Sequence, residues 1–129
     1  MKTIKTNLFL ILTLGSFAVM AAPRIGHHGD MIMKCHKPMF FNEVPSNNAK
    51  VSDFQKFSFN ASENTDIATL KVWVNNQAIK VNSQKLPSGR YLISGQTAQP
   101  LLDDKVWVKV GSESDDGCKG LQTWNVYIE

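Results

Sequence analysis

The segment Phe54–Val81, with the sequence FQKFSFNASENTDIATLKVWVNNQAIKV, decides the fold of this chain. Apolar and polar residues alternate along it with a period of two, which places one set on the buried face of a strand and the other on its outer face. Two apolar sets follow this period, one for each strand: Phe57, Phe59 and Ala61, then Leu70, Val72 and Val74. The short polar run Asn75-Asn76-Gln77 is typical of a hairpin that leads into a third strand ending at Val81.

The same alternation continues to the end of the chain and predicts an all-β fold. Seven short strands are expected: Met39–Val44, Gln55–Ala61, Leu70–Asn75, Ala78–Val81, Arg90–Ser94, Lys105–Val110 and Leu121–Ile128. Turn signals separate them at intervals of roughly 8–12 residues, which favours a single antiparallel β-sandwich over a parallel sheet. Between the strands, Ile67–Thr69 is expected to form one helical turn, and residues 82–85 and 96–100 are expected to be loops.

The N-terminal residues have the features of a secretory signal peptide. A basic start, Met1–Lys5, precedes the apolar run Leu8–Val19, and small residues around Ala21 are typical of a cleavage site. The apolar run is about a dozen residues long and falls short of the roughly 20 that span a bilayer. We therefore expect residues 1–21 to be removed, no integral membrane segment to remain, and the protein to be periplasmic or secreted.

Cleavage after Ala21 would leave 108 residues, enough for one domain with a single core. These residues divide into a His/Met-rich leader, residues 22–38, and a sandwich domain, residues 39–129. Removal of Lys2 and Lys5 would lower the formal net charge from +3 to +1. A near-neutral surface with scattered lysines gives no support for nucleic acid as a partner. Any partner is expected to be a protein or a glycan of unknown identity.

The mature chain has two cysteines, Cys35 and Cys118. In an oxidising compartment, an even pair in a small exported domain predicts a disulfide. Closing a loop of more than 80 residues would stabilise the fold by about 4–5 kcal/mol in the chain-entropy account. Two alternatives stay open at this point. In the first alternative, Cys35 is a free thiolate that binds metal. In the second, the disulfide forms and the protein has a purely structural role that depends on it.

A histidine- and methionine-rich cluster lies between His27 and Met39. Imidazole suits copper and zinc, and thioether sulfur suits Cu(I). The candidate metal ligands are His27, His28, Met31, Met33 and His36. If Cys35 is bridged to Cys118, the cluster would hang over the loop of residues 112–119, which adds the carboxylates of Glu113, Asp115 and Asp116.

Each of these acidic and His/Met patterns also has a plainer interpretation. The methionines suit an edge strand that closes the sandwich, and the histidines suit an exposed tail. Lys34 and Lys37 oppose cation binding by charge repulsion. The carboxylates near Gly117 resemble a calcium-binding set only loosely, since the EF-hand spacing is absent, and a solvated turn accounts for them better.

Two tryptophans, Trp73 and Trp107, are expected to point away from the core because each alternates with inward valines. Exposed indoles flanked by lysine and asparagine are typical of a surface that binds a protein or a sugar. The alternatives are that a second layer covers them, or that lysine stems of neighbouring strands stack on them.

The region from Pro45 to Ile128 resembles a small bacterial immunoglobulin-like (Ig-like) domain. The matching features are the turn Val44-Pro45-Ser46, the strand opening Phe57-Ser58-Phe59, the strand and turn of residues 70–77, the entry Ser88-Gly89-Arg90-Tyr91 and the closing strand of residues 124–128. The resemblance implies the sandwich fold and no particular activity. The cysteines differ from those of antibody domains, because Cys35 precedes the first strand and Cys118 falls in a loop.

A second, weaker resemblance is to the CopC-type periplasmic copper carriers. Those sandwiches are of similar size and bind copper through His and Met residues at one end, and the matching element here is the His27–Met39 cluster. This chain differs from them in having no histidine beyond His36. The resemblance implies that copper is the metal such a cluster would take.

No catalytic motif is visible, since the chain lacks a nucleophile elbow, a zinc-protease motif and a phosphate-binding loop. We therefore expect no enzyme. The sequence predicts an exported Ig-like module that binds an unknown partner through the Trp73 and Trp107 face or through an exposed edge strand. The alternative is a periplasmic copper-binding or copper-carrying protein that uses the leader.

Overall fold

The structure, a computed structural model, describes residues 34–129. The predicted signal peptide and most of the leader precede this part of the chain. Four of the five candidate metal ligands, His27, His28, Met31 and Met33, lie outside the described residues. His36 and both cysteines lie within them.

The described chain is all-β and forms two sheets packed as a sandwich. Its nine strands are β1 (Phe40–Val44), β2 (Ala49–Val51), β3 (Phe54–Ala61), β4 (Thr65–Val74), β5 (Gln77–Ile79), β6 (Val81–Lys85), β7 (Tyr91–Leu101), β8 (Lys105–Ser114) and β9 (Lys119–Ile128). The first sheet has the order β1-β3-β7-β6, and the second has the order β2-β9-β8-β4-β5. The predicted fold class is confirmed, with two more strands than the seven expected.

The two additional strands are short edge strands that hydrophobic alternation does not reveal. β2 pairs in parallel with β9, so the sandwich is not wholly antiparallel. β6 contains residues 82–85, which were expected to be a loop, and pairs with the first half of β7. Residues 82–85 are exposed, and an edge strand with little buried surface does not need alternating apolar residues.

The predicted hairpin between β4 and β5 is present. Asn75 and Asn76 have positive φ angles of 46° and 68°. Asparagine tolerates this left-handed backbone conformation better than most residues, and a two-residue hairpin turn requires it. Trp73 then pairs with Ala78 across the hairpin.

The prediction of a helical turn at Ile67–Thr69 is wrong, because these residues form a bulge within β4. The register against β8 shifts between Asp66 and Lys71. The Thr69 hydroxyl accepts a hydrogen bond from the Glu113 backbone N–H at 2.8 Å, and the Asp66 carboxylate accepts one from the Ala68 N–H at 3.1 Å. Side chains thus replace part of the backbone ladder, and the strand continues.

The core lies between the inner faces of the two sheets, where the alternating apolar residues meet. Phe59, fully buried, is at its centre. Its ring packs edge-on against Trp124 from the opposite sheet, with 5.6 Å between centroids, and against Phe40 at 6.0 Å. Within residues 34–129, no helix has the length and apolar character needed to cross a membrane.

Replacing Phe59 by alanine should lower the free energy of unfolding by about 3–5 kcal/mol, because the ring fills the space between two aromatic neighbours and leaves a cavity. Urea unfolding monitored by circular dichroism measures this loss. Leu121→Ala is the matched control, since Leu121 is 66% exposed, and it should change stability by about 0.5 kcal/mol or less. Equal losses in the two variants would contradict the assignment of the core.

Candidate functional site

A disulfide joins Cys35 to Cys118, as predicted. The residues are 83 apart in sequence, and their Cα atoms lie 5.6 Å apart. Neither cysteine is free, so the alternative of a free Cys35 thiolate is wrong for this state of the protein. The bridge attaches the end of the leader to the β8–β9 loop, outside the hydrophobic core.

We call the region around this bridge the anchored corner. It comprises residues 34–39, the β3–β4 turn of residues 62–65 and the β8–β9 loop of residues 114–119. Met39 and Ser62 hold its first two parts together. The Met39 N–H donates to the Ser62 hydroxyl at 2.8 Å, and the Ser62 N–H donates to the Met39 carbonyl at the same distance.

Asn64 connects all three parts of the anchored corner. Its side-chain amide donates to the His36 carbonyl at 3.0 Å. Its own carbonyl accepts from the Asp115 N–H at 2.8 Å. The end of the leader therefore keeps hydrogen bonds to the sandwich that do not involve the disulfide.

Pro38 adds an apolar contact to this corner. It is buried, and a Cβ atom built on Gly120 would meet its ring and carbonyl at 2.8 Å. Only glycine at position 120 leaves room for so close an approach, since real Cβ atoms do not sit that near another heavy atom. Pro38, two residues after His36, is thus fixed against β9 by shape, while hydrogen bonds hold the preceding residues.

His36 and Asp116 are in contact at the exposed side of the corner. The His36 N–H donates to Asp116 Oδ2 at 3.1 Å, and the imidazole Nδ1 lies 3.9 Å from the same oxygen. The hydroxyl of Ser114 donates to the other carboxylate oxygen, Oδ1. The imidazole is 89% exposed, so its ring nitrogens are accessible to an ion from solvent.

The pKa of the Asp116 carboxyl is lowered from its ordinary value. The largest cause is the hydrogen bond from the Ser114 hydroxyl, and the second is the bond from the His36 backbone N–H. Both favour the charged form of the carboxyl. Asp116 is therefore a carboxylate beside an open imidazole at neutral pH.

The acidic residues of the β8–β9 region do not converge as one site. Glu113 pairs with Lys119 across the β8–β9 ladder, whereas Asp115 is exposed and bound through its backbone to Asn64. Within residues 34–129, no group of three or more His, Cys, Asp or Glu side chains is placed to hold a metal ion. While Cys35 and Cys118 are bridged, a metal site that includes His36 would therefore need ligands from before Lys34.

The sequence did not identify Ser62 and Asn64 as parts of this site. They lie in the polar connection Ser62–Asp66, which has no distinguishing pattern. The only available signal was their residue type, because Ser and Asn side chains often bond to backbone groups in turns.

Trp73 and Trp107 lie on the outer face of the second sheet and are half-buried. The Lys109 ammonium is 5.3 Å from the centroid of the Trp73 ring, as in the alternative of a lysine stacked on an indole. Gly111 lies between Trp73 and Leu121, in an open groove of about 700 Å³. The binding role of the two tryptophans stays a prediction.

Comparison with known proteins yields a fold and no family. No family model matches the chain, and no curated protein does either. Among the solved structures with a similar sandwich fold are CopC and PcoC.

The first is CopC from Methylosinus trichosporium OB3b, with a TM-score of 0.56 and 11% identity over 71% of this chain and 93% of that chain. The second is PcoC, a methionine-rich copper resistance protein from Escherichia coli, with a TM-score of 0.54 and 15% identity over 73% of this chain and 100% of that chain. At such identities the likeness establishes the fold alone.

Replacing Asp116 by asparagine should make acid stability less dependent on pH. A carboxyl whose pKa is lower in the folded state stabilises the fold above the unfolded pKa, about 3.9, and loses that effect as pH falls through the folded value. Wild type should therefore be the more stable protein at pH 7, and the difference should close in acid. Urea unfolding of both proteins between neutral pH and acid measures it, with Asp115→Asn in the same loop as the matched control. A difference that persists at the lowest pH would contradict the assigned contacts.

Acrylamide should quench the wild-type tryptophan fluorescence more strongly than that of a Trp73→Phe/Trp107→Phe variant. The variant retains only Trp124, which is 1% exposed, whereas the two outer indoles are half-buried. Unfolding the variant in urea should restore quenching and serves as the control. Equal Stern–Volmer slopes for the folded proteins would mean that the outer face is covered.

Proposed function

We propose that this protein binds copper in the periplasm and that the His/Met-rich leader, residues 22–38, supplies the ligands. The observation that carries the proposal is the likeness of the sandwich to CopC and to PcoC, a methionine-rich copper resistance protein. The chain combines that fold with histidines and methionines concentrated in one short segment. The signal peptide of residues 1–21 would deliver the protein to that compartment.

The proposed ligands are His27, His28, Met31, Met33 and His36. Imidazole nitrogen binds both oxidation states of copper, and thioether sulfur selects Cu(I). Met31 and Met33 are two residues apart, so both sulfurs reach the same side of an extended chain. This donor set suits an ion that changes between Cu(I) and Cu(II) during transport.

The sandwich would act as the holder of this segment. His36 is the one proposed ligand whose surroundings the structure describes, and its backbone is fixed by Asp116 and Asn64. The exposed imidazole then extends from a rigid base. The carboxylate of Asp116 beside it offsets the charge of Lys34 and Lys37, which otherwise repel a cation.

The role is one of binding and not of catalysis. The predicted absence of enzyme activity agrees with this proposal, because a carrier needs only ligands and a stable scaffold.

A partner-binding face on the second sheet is the other candidate function. The observation that favours it is the pairing of the exposed Leu121 with Trp73 around Gly111. Exposed apolar surface next to an indole is typical of contact sites.

Titration of the protein with Cu(II) and with Cu(I) tests the copper proposal. Wild type should bind stoichiometrically with sub-micromolar affinity, measured by competition with a chromophoric chelator. A variant with His27, His28 and His36 replaced by alanine should lose Cu(II) binding, because imidazoles are its principal donors.

The matched control is a variant with Asn82, Ser83 and Gln84 replaced by alanine, since these exposed residues lie in the edge strand β6. It should bind copper as wild type does. Weak binding by wild type, or undiminished binding by the histidine variant, would exclude the proposed role of the leader.

A further inference from the structure

The anchored corner contains four side-chain groups that can bind metal. Two of them are the cysteine sulfurs, which are joined to each other in the disulfide. Cys35 and Cys118 contribute the sulfurs, and His36 follows Cys35 directly in the chain. Asp116 lies two residues before Cys118 and contacts His36. The two sulfurs, the imidazole and the carboxylate therefore belong to residues that are neighbours in the chain or in contact with each other.

We propose that this corner becomes a second copper site when the disulfide is reduced, with the thiolates of Cys35 and Cys118 as the principal Cu(I) ligands and His36 beside them. The proposal rests on the proposed copper function and adds a redox control to it. The oxidised protein would bind copper through the leader alone, and the reduced protein would also bind Cu(I) at the corner.

The chemistry needs a dithiol reductant. The dithiol supplies two electrons and two protons, the S–S bond breaks to give two thiols, and the reductant leaves as a disulfide. Cu(I) then displaces the two thiol protons and forms two Cu–S bonds. Copper enters and stays as Cu(I), so no other oxidant or reductant is required.

Contacts other than the bridge keep the two sulfurs close after reduction. Cys118 is held by Ser114, whose hydroxyl accepts from the Cys118 N–H at 3.0 Å and whose N–H donates to the Cys118 carbonyl at 2.8 Å. On the other side, the backbone of His36 is bonded to Asp116 and Asn64. Pro38 is packed on Gly120. The reduced pair is thus preorganised, and less ordering entropy opposes binding.

The bridge is also accessible to a reductant. Both cysteines are half-buried, and the residues between Ser114 and Cys118 are exposed. The bridge lies outside the core built around Phe59 and Trp124, so the two sheets keep their packing when it opens. Thiolate sulfur is a soft donor and prefers Cu(I) to the hard cations of the surroundings.

The experiment compares the oxidised and the dithiol-reduced protein in anaerobic Cu(I) titrations against a Cu(I)-specific chelator. The reduced protein, freed of reductant, should bind one more Cu(I) ion per chain and develop the ultraviolet thiolate-to-Cu(I) absorption band. A Cys35→Ser/Cys118→Ser variant should show neither change. Near-ultraviolet circular dichroism of the buried Trp124 checks that each protein is folded.

Asn64→Ala distinguishes a preorganised site from two sulfurs on a loose chain. It retains both thiols but removes the amide that fixes His36, so the reduced variant should bind the added Cu(I) about two- to tenfold more weakly, as expected for one lost hydrogen bond. Equal affinity in the variant would overturn the preorganised site, and equal stoichiometry in the oxidised and reduced wild type would overturn the site itself.

A His27→Ala/His28→Ala variant, which keeps His36 in the corner, separates this proposal from the one it rests on. In the oxidised state it reports leader binding alone, because both sulfurs are then occupied. Loss of copper binding by the oxidised variant, together with a retained thiolate-to-Cu(I) band after its reduction, supports two separate sites. A reduced protein that gains no Cu(I) while the oxidised protein binds copper through its histidines overturns the corner site and leaves the leader function standing.

Discussion

The packing of one apolar face of each sheet against the other is the constraint on which the rest of this structure depends. Phe59 and Trp124 meet edge-on at the centre, and valines of β4, β8 and β9 surround them. Every strand that contributes to this contact must alternate apolar and polar residues, because only one of its faces is buried. The outward positions are thereby left free for other uses.

The anchored corner is built on this rigid base and is mostly polar. It joins three segments that are distant in sequence through a disulfide, a proline packed on Gly120 and the hydrogen bonds of Asn64. A buried core could not supply such a site, since unpaired polar groups there are costly. Placing it at one end of the sandwich leaves the imidazole of His36 exposed while its backbone is fixed.

The copper proposal and the redox proposal use the same corner in two ways. In the first, the corner is the attachment point of a ligand-bearing leader. In the second, the two cysteines that attach the leader are themselves ligands, and they cannot bind Cu(I) while the disulfide joins them. Each depends on the same fact, namely that His36, Asp116 and the bridge are held by separate contacts. Together they would couple copper loading to the thiol–disulfide balance of the compartment.

The fold class, the inward residues of β3, β4 and β8, the β4–β5 hairpin and the cysteine pairing could be predicted from the sequence alone. Period-two burial, turn chemistry and an even cysteine count are local or nearly unambiguous signals. The edge strands β2 and β6, the bulge at Ile67–Thr69, and the contacts of Asn64 and Asp116 with the end of the leader became visible only in the folded protein. These features depend on pairings between segments far apart in the chain. Side-chain hydrogen bonds of that kind leave no periodic trace in a sequence.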